Sequence, residues 1–352
     1  MDKKSDVRNI YSDSFSDTSR YVEMYFSRVY RDEDAMVRYV GGEAACSLLL
    51  QQYSMNFGQT DVPVGYIAGA ATLRRFRRRG LMSELIVEAL RAARERGDYM
   101  ITLIPASDSL YLYYDKFKFT TVFYIAEKRY TSFHTFRFSK SYSPADVASP
   151  EAYAVFDRLM HEREYCIQHT FPQYLNILAD NELDGGKSIA LADSETGEIR
   201  ALAFAAMRAD RLVVKDLLAA GDDAASAVLA GLSAAFPHVP VTWISTPEEN
   251  SMMPIESRGM ARIVNVKKTL DAYANDNRNL QFTVKVSDPQ IPDNSHIYFI
   301  DNGTCTINDG FRGLLNLDVS VDVLAAILFS SSKVGKIFNL PTRRPFISLM
   351  LD

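Results

Sequence analysis

Positions 74 to 79 read RRFRRR, five arginines in six residues, and Gly80 follows them directly. The run closes a stretch of strand character and opens one of helical period. The arginine side chains and the unpaired first-turn N–H groups of Arg78 to Ser83 are therefore expected to converge on one point. Such a point takes an anion, a phosphate or diphosphate. A Walker loop is excluded because no Gly-Lys-Ser/Thr follows, and a dinucleotide fingerprint is excluded because Gly80 is the only glycine in the turn. Arginine runs also occur as solvated faces or nucleic-acid patches. The net charge of −5, from 39 Lys+Arg against 44 Asp+Glu, argues against wholesale binding to nucleic acid or to an anionic membrane.

Other chemistry is sparse. Cys46, Cys166 and Cys305 are too far apart for a zinc spacing or a disulfide framework, so no metal is expected and a reducing, cytoplasmic setting fits. The first residues lack the apolar stretch of a secretory signal. His134, His161, His169, His238 and His296 are scattered, and none receives a role. Leu110, Tyr111, Tyr114 and Phe117 share helical spacing, which suits a core stripe.

The elements that must position these groups follow from hydrophobic period. At 352 residues, with 47% apolar and 24% charged residues, the chain is an ordinary globular protein of two or three domains. A helix is expected over 20–30 and strands over 45–53 and 62–72. The stripe Leu81, Met82, Leu85, Ile86, Ala89, Leu90, Ala93 predicts a helix between Gly80 and Gly97. A strand over 99–104, a short helix from Ser107 or Asp108 to about Lys116 and a strand over 119–125 complete a first domain, 1–135. Residues 136–150, with four serines and two prolines, read as a linker. A domain over 151–275 follows, helical over 152–180, with strands at 188–192, 200–207 and 211–219, a helix from Asp222 to Phe236 and a strand at 239–245. Ala224–Pro247 carries no Asp, Glu, Lys or Arg, but its prolines and its change of character make it a buried helix and strand rather than a membrane span. Strand, helix, strand repeats the order of 62–104 and hints at duplication. A last domain, 276–352, carries strands over 281–286, 296–300 and 305–307, helices over 321–329 and 333–338, and a terminal strand over 346–351. The fold class is α/β (α+β).

The segment GYIAGAATLRRFRRRGLMSELI resembles the coenzyme A loop of GNAT-superfamily N-acetyltransferases, with signature Gln/Arg-x-x-Gly-x-Gly/Ala; Arg77 and Gly80 fit, and Met82 departs. YYDKFKF is similar to the Tyr-x-x-x-Gly-Phe that follows in that superfamily, with Tyr114 and Phe119 matching and Lys118 in place of the glycine. The whole chain resembles the enhanced intracellular survival (Eis) type: tandem GNAT-like mixed-sheet domains, the second degenerate, followed by a sterol-carrier-protein-like α+β domain. The resemblance implies acetyl-CoA as co-substrate, with Ala70, Ala71 and Thr72 beside its pantetheine arm. Arg77, Arg78, Arg79, Gly80, Leu81, Met82 and Ser83 would hold the diphosphate, Ser109 and Leu110 would complete the site, and Tyr114 would be the general acid.

Acetyl transfer from a thioester to a primary amine needs no enzyme nucleophile, but it needs a base for the ammonium. No His occurs in 1–133. The closing FISLMLD is too apolar for a loose tail and carries Asp352. Its residues alone leave open whether Asp352 reaches the site or the surface; the Eis resemblance implies that its main-chain carboxylate is the base. Tyr21, Tyr25 and Phe26, with Asp32, Glu33 and Asp34, are candidates for the acceptor pocket, and packing or a solvated turn is their alternative. The acceptor is expected to be a small-molecule or peptide amine, with no nucleic acid or membrane partner; a homo-oligomer is left open. Transfer of a longer acyl or aminoacyl group, or non-catalytic binding of acyl-CoA or lipid, are the rival readings.

Overall fold

The computed structural model describes residues 2–58, 60–329, 333–337, 340–341 and 344–351. The chain begins with α1 (Lys3–Ser14) and α2 (Ser19–Met24), which runs on as a π-helical turn over Tyr25–Val29. Then come β1 (Ala35–Val40), β2 (Glu43–Phe57), β3 (Thr60–Thr72), α3 (Leu81–Arg96), β4 (Met100–Leu103), α4 (Asp108–Asp115) and β5 (Thr120–Tyr130). The middle holds β6 (Tyr142–Ala145), α5 (Pro150–His161), β7 (Ile167–Gln168), α6 (Phe171–Leu183), β8 (Lys187–Asp193), β9 (Ile199–Arg208), β10 (Arg211–Ala219), α7 (Asp222–Ala235) and β11 (Val241–Ser245). The last part holds β12 (Ile255–Ile263), α8 (Val266–Asp276), β13 (Phe282–Ser287), β14 (Ile297–Asp301), β15 (Thr304–Ile307), β16 (Leu317–Ser320), α9 (Val321–Phe329) and α10 (Lys333–Ile337).

Two compact units result. The first gathers the chain up to Phe123 with Arg258–Pro345; the second gathers Tyr124–Ser257 with Phe346–Leu351. In the first, β1, β2 and β3 are antiparallel neighbours, β3 and β4 are parallel, and β4 pairs antiparallel with β12. The parallel step requires a crossover, and α3 supplies it. Its stripe of Leu85, Ile86, Ala89, Leu90 and Ala93 is buried against Cys46, Leu48, Leu50, Ile67, Ile101 and Leu103. Gly80 and Gly97 bound it, both left-handed. A separate sheet, β15-β14-β13-β16, has α8 and α9 packed on it.

In the second unit the tail of β5 pairs antiparallel with β11, β11 lies parallel to β10, and β9, β8 and β6 continue the sheet antiparallel. α7 is the crossover between β10 and β11, burying Ala224, Ala227, Val228, Leu229 and Leu232. On the other face, Phe156 of α5, Tyr174 of α6 and Phe204 of β9 stack edge to face or tilted.

Several expectations differ in detail. The helix over 152–180 is two helices, because Thr170 donates its N–H to Gln173 Oε1 at 2.8 Å, which starts a new helix with Pro172 in its first turn. The 136–150 segment contains β6, an edge strand that tolerates Pro144. β12 from Arg258 and α8, expected with residues 151–275, pack with the first unit because β12 pairs with β4. The closing segment makes a single bridge, Phe346 to Cys166, and not a strand: Leu349 sits at φ 57°, which breaks the extended path. It is nonetheless buried from Phe346 to Leu349. Helices α1 and α8 and strands β1, β7, β12 and β16 are not predicted by the sequence pattern. No helix among the described residues is long and apolar enough to cross a membrane.

Candidate active site

The site begins with an irregularity in β3. Ser47 of β2 faces Ala71 and Leu49 faces Ala68, so Gly69 and Ala70 together oppose Leu48. This is a β-bulge, and Gly69 takes the left-handed conformation it needs, φ 57°. A Cβ on Gly69 would stand 3.3 Å from the Tyr11 ring. Ala70 and Thr72 are half-buried, while Ala71 packs its methyl into the core with Ile10, Ala44 and Ala45. Ala71 can therefore offer a ligand only its main chain.

After Thr72 the chain makes a 3₁₀ turn over Arg74–Phe76 that buries Phe76 and leaves the arginines exposed. Their environments differ. Arg75 pairs with Glu43 and lies 5.2 Å from the centre of the Phe76 ring, and Arg79 lies 5.3 Å from the same ring. Arg77 donates Nε to the Thr72 carbonyl at 2.9 Å. Arg78 (φ 62°) and Gly80 (φ 80°) are both left-handed and turn the chain into α3. The first helical bond runs from Glu84 N to Gly80 O at 3.0 Å, so the N–H groups of Leu81, Met82 and Ser83 precede the ladder. Leu81 and Met82 pack their side chains on the core, so a methionine in place of a small residue leaves that N–H row open. A Cβ on Gly80 would meet nothing within 4 Å. Positive side chains and the positive end of a helix thus share one open turn, a geometry suited to an anion. Glu84 and Glu88, the nearest carboxylates on α3, pair with Arg38.

Helix α4 brings Tyr113 to this turn. Tyr113 Oη and Ser83 Oγ are 3.3 Å apart. Burial raises the Tyr113 pKa and the Ser83 bond opposes the rise. Tyr114 is buried, its ring edge-on to Tyr113 (5.4 Å) and Phe119 (5.6 Å). Burial, and then Tyr113, hold its hydroxyl well above the usual phenol range. The nearby Cys46 thiol is pushed up to about 11, mainly by burial. Ser109 is exposed and bonded to Ser107 Oγ at 3.0 Å, and Leu110 is half-buried on the core. The Tyr113–Ser83 contact joins residues 30 apart in sequence and left no local signal.

Tyr21, Tyr25 and Phe26 are buried in one aromatic cluster. Tyr25 accepts a hydrogen bond from Gln51 Nε2 at 3.3 Å and lies 5.8 Å from Tyr11, the residue against Gly69. Tyr11, on the unforeseen α1, therefore links this cluster to the β3 bulge. Of the acidic group, Asp32 accepts from the Tyr30 hydroxyl at 2.7 Å, and burial raises the Asp34 pKa.

Asp352 lies outside the described residues. The segment before it is held in the second unit: the Phe346 carbonyl accepts Ile167 N–H at 3.0 Å, and Ser348 Oγ donates to Asp216 at 2.6 Å. The Ser348 carbonyl can only accept, so His169 Nε2 donates to it, at 3.0 Å. Arg163 grips Asp216 with two bonds of 2.9 Å and lies 4.8 Å from the Phe346 ring centre. None of Arg163, His169 or Asp216 stood out in the sequence. No group of three or more His, Cys, Asp or Glu among the described residues could hold a metal ion.

Residues 2–122 match the family model of an acetyltransferase (GNAT) domain. Solved structures resemble the whole chain. A GCN5-related N-acetyltransferase from Anabaena variabilis has a TM-score of 0.79 and 16% identity, covering 97% of this chain and 96% of its own. A protein of unknown function from Enterococcus faecalis, described as a probable N-acyltransferase, has a TM-score of 0.80 and 14% identity, covering 99% and 97%. Eis1 from Mycobacterium abscessus has a TM-score of 0.71 and 12% identity, covering 95% and 89%. The fold is thus a mixed α/β fold with GNAT-like sheets. No curated protein sequence matches the chain.

Proposed function

We propose that the chain is an N-acetyltransferase that moves the acetyl group of acetyl-CoA to a primary amine. The observation that carries this reading is the turn at Gly80, where exposed Arg77, Arg78 and Arg79 meet the open N–H row of α3. In the reaction the amine nitrogen attacks the thioester carbonyl carbon, the tetrahedral oxyanion collapses, and the C–S bond breaks. Main-chain N–H groups at the Gly69–Ala70 bulge would support the oxyanion. Tyr114 would give its proton to the leaving thiolate; burial keeps its hydroxyl protonated until that step. Asp352 is our proposed base, taking the proton from the ammonium, and the cluster around Tyr21, Tyr25 and Phe26 our proposed acceptor wall. We further propose the Eis-type organisation, a working GNAT domain, a degenerate GNAT-like domain and a sterol-carrier-like domain in chain order, in a cytoplasmic enzyme.

The test is free-thiol release from acetyl-CoA across polyamines, aminoglycosides, amino-acid esters and lysine peptides, with acetyl-CoA binding measured alongside. Amine-dependent thiol release is expected. Binding without release for any amine would make the chain a coenzyme A-binding module, and absence of binding would overturn the reading altogether.

A further inference from the structure

The turn after α4 is built on an unfavourable residue. Lys118 has φ 66°, in the left-handed region where a Cβ crowds the following carbonyl and glycine is at home. The turn folds back on Tyr114, whose carbonyl accepts the N–H of Phe117 at 2.9 Å and of Phe119 at 3.3 Å. The shape of 116–119 therefore bears directly on the tyrosine, whose ring also rests on Phe119.

Three side chains from more than 140 positions later, all in the first unit, hold that turn. Arg262 of β12 donates Nε to the Phe117 carbonyl at 2.9 Å. Gln290 donates Nε2 to the Lys116 carbonyl at 3.4 Å. Asp322, at the start of α9, lies 3.6 Å from Lys118 Nζ. Arg262 is itself fixed: its guanidinium and the Asp288 carboxylate are wholly buried and 2.6 Å apart, and Asp288 Oδ2 accepts Asn294 Nδ2 at 2.9 Å. Buried ion pairs of this kind gain little stability over apolar packing but fix geometry closely.

We propose that Arg262, Gln290 and Asp322 are positioning residues for Tyr114: they hold the strained 116–119 turn so that the end of α4 presents the Tyr114 hydroxyl in its working place. The proposal rests on the reading of Tyr114 as general acid. It gives the chain beyond Arg258 a part in the reaction, exerted through the tyrosine and not through substrate. A strained turn persists only where its surroundings over-determine it, so loosening the clamp releases the turn, and a glycine at 118 removes the need for the clamp.

Replacing Arg262 would strand the Asp288 charge in the interior and threaten folding. The test therefore uses Gln290→Ala with Asp322→Ala in the full chain. We expect kcat to fall roughly 5- to 100-fold, as small misplacements of catalytic groups do, with acetyl-CoA affinity held within about two-fold. The Phe117 and Phe119 amides should exchange hydrogen faster. Adding Lys118→Gly should restore kcat to within about three-fold of the parent. Unchanged kcat and exchange, or a loss that Lys118→Gly does not mend, overturns the proposal. Tyr114→Phe in the same series separates the two ideas: if it keeps turnover, the acid assignment fails and the positioning role with it. If it loses turnover while the double variant keeps it, the positioning role alone fails.

Discussion

Replacing Arg77 and Arg79 together by alanine tests the anion turn where it is most exposed. Arg77 is anchored on its inner side by the bond from Nε to the Thr72 carbonyl, which leaves Nη1 and Nη2 for a ligand. Arg79 rests on the Phe76 ring, a contact that uses none of its N–H donors. Each would make charge-assisted bonds to a diphosphate worth roughly 1.5 to 3 kcal/mol. Both side chains are exposed and screened by salt, so the pair should lose about 2 to 4 kcal/mol of binding, a rise in Kd of roughly 30- to 900-fold. Thermal stability should change by no more than about 0.5 kcal/mol, since neither arginine is buried. Titration calorimetry with acetyl-CoA reads the loss, with Arg74→Ala as the control, expected within about three-fold. A double variant that binds within about three-fold of the parent would refute the assignment of the turn.

The same titration should give one acetyl-CoA per chain, because the first turn of α7 carries Asp222 and Asp223 whereas arginines lead into α3; two equivalents would overturn this. Tyr114→Phe should lower kcat by roughly 10²- to 10⁴-fold with acetyl-CoA affinity nearly intact, and retained turnover would make the ring a packing residue. Because burial raises the Tyr114 pKa, its proton should stay in place and cause no alkaline loss of kcat below about pH 10, which a pH–rate profile checks. Burial lowers the His169 pKa from 6.5 to about 4, so the unfolded chain binds this proton more readily than the folded one. The stability concerned is fully present above pH 6.5 and drains away as pH falls towards 4. It amounts to about 3 kcal/mol. His169→Gln should flatten the dependence of the denaturation midpoint over that window, and an unchanged slope would sink the idea.

Much of the fold was legible because its signals are local. α3 shows a full apolar stripe between two glycines, and both ends follow from those glycines. α9 is apolar nearly all round, and a helix lies over 321–329 as the sequence predicts. α1 was not legible: Val7, Ile10 and Tyr11 are its only buried residues in a polar run, too short a stripe to stand out. β12 hides behind Arg258 and Arg262. A charged residue inside a strand speaks against burial until its partner is known, and Asp288 lies 26 residues away. The anion turn was readable for the opposite reason, since its arginines and its glycine are neighbours in the chain. Its supports, Glu43 for Arg75 and Ser83 for Tyr113, are distant in sequence and could only be seen folded.

The two crossovers show how little the backbone alone decides. β3–α3–β4 and β10–α7–β11 are both parallel strand-helix-strand units, and in both the first strand bulges, at Gly69–Ala70 and at Lys215. In the first unit the bulge carries no charged side chain, and the strand leads to a row of exposed arginines. In the second, the residue after the bulge is Asp216, wholly buried, and its carboxylate is already taken by Arg163 and Ser348. A buried carboxylate with its own guanidinium is a closed account, with no donor left over for an incoming anion. Among the described residues, the exposed arginines around the open helix end pair with no carboxylate, Arg75 with Glu43 excepted. Identical topology therefore accompanies our proposed ligand site in one unit and a dock for the chain's own Phe346–Leu351 in the other, and the difference rests on which charges line the junction.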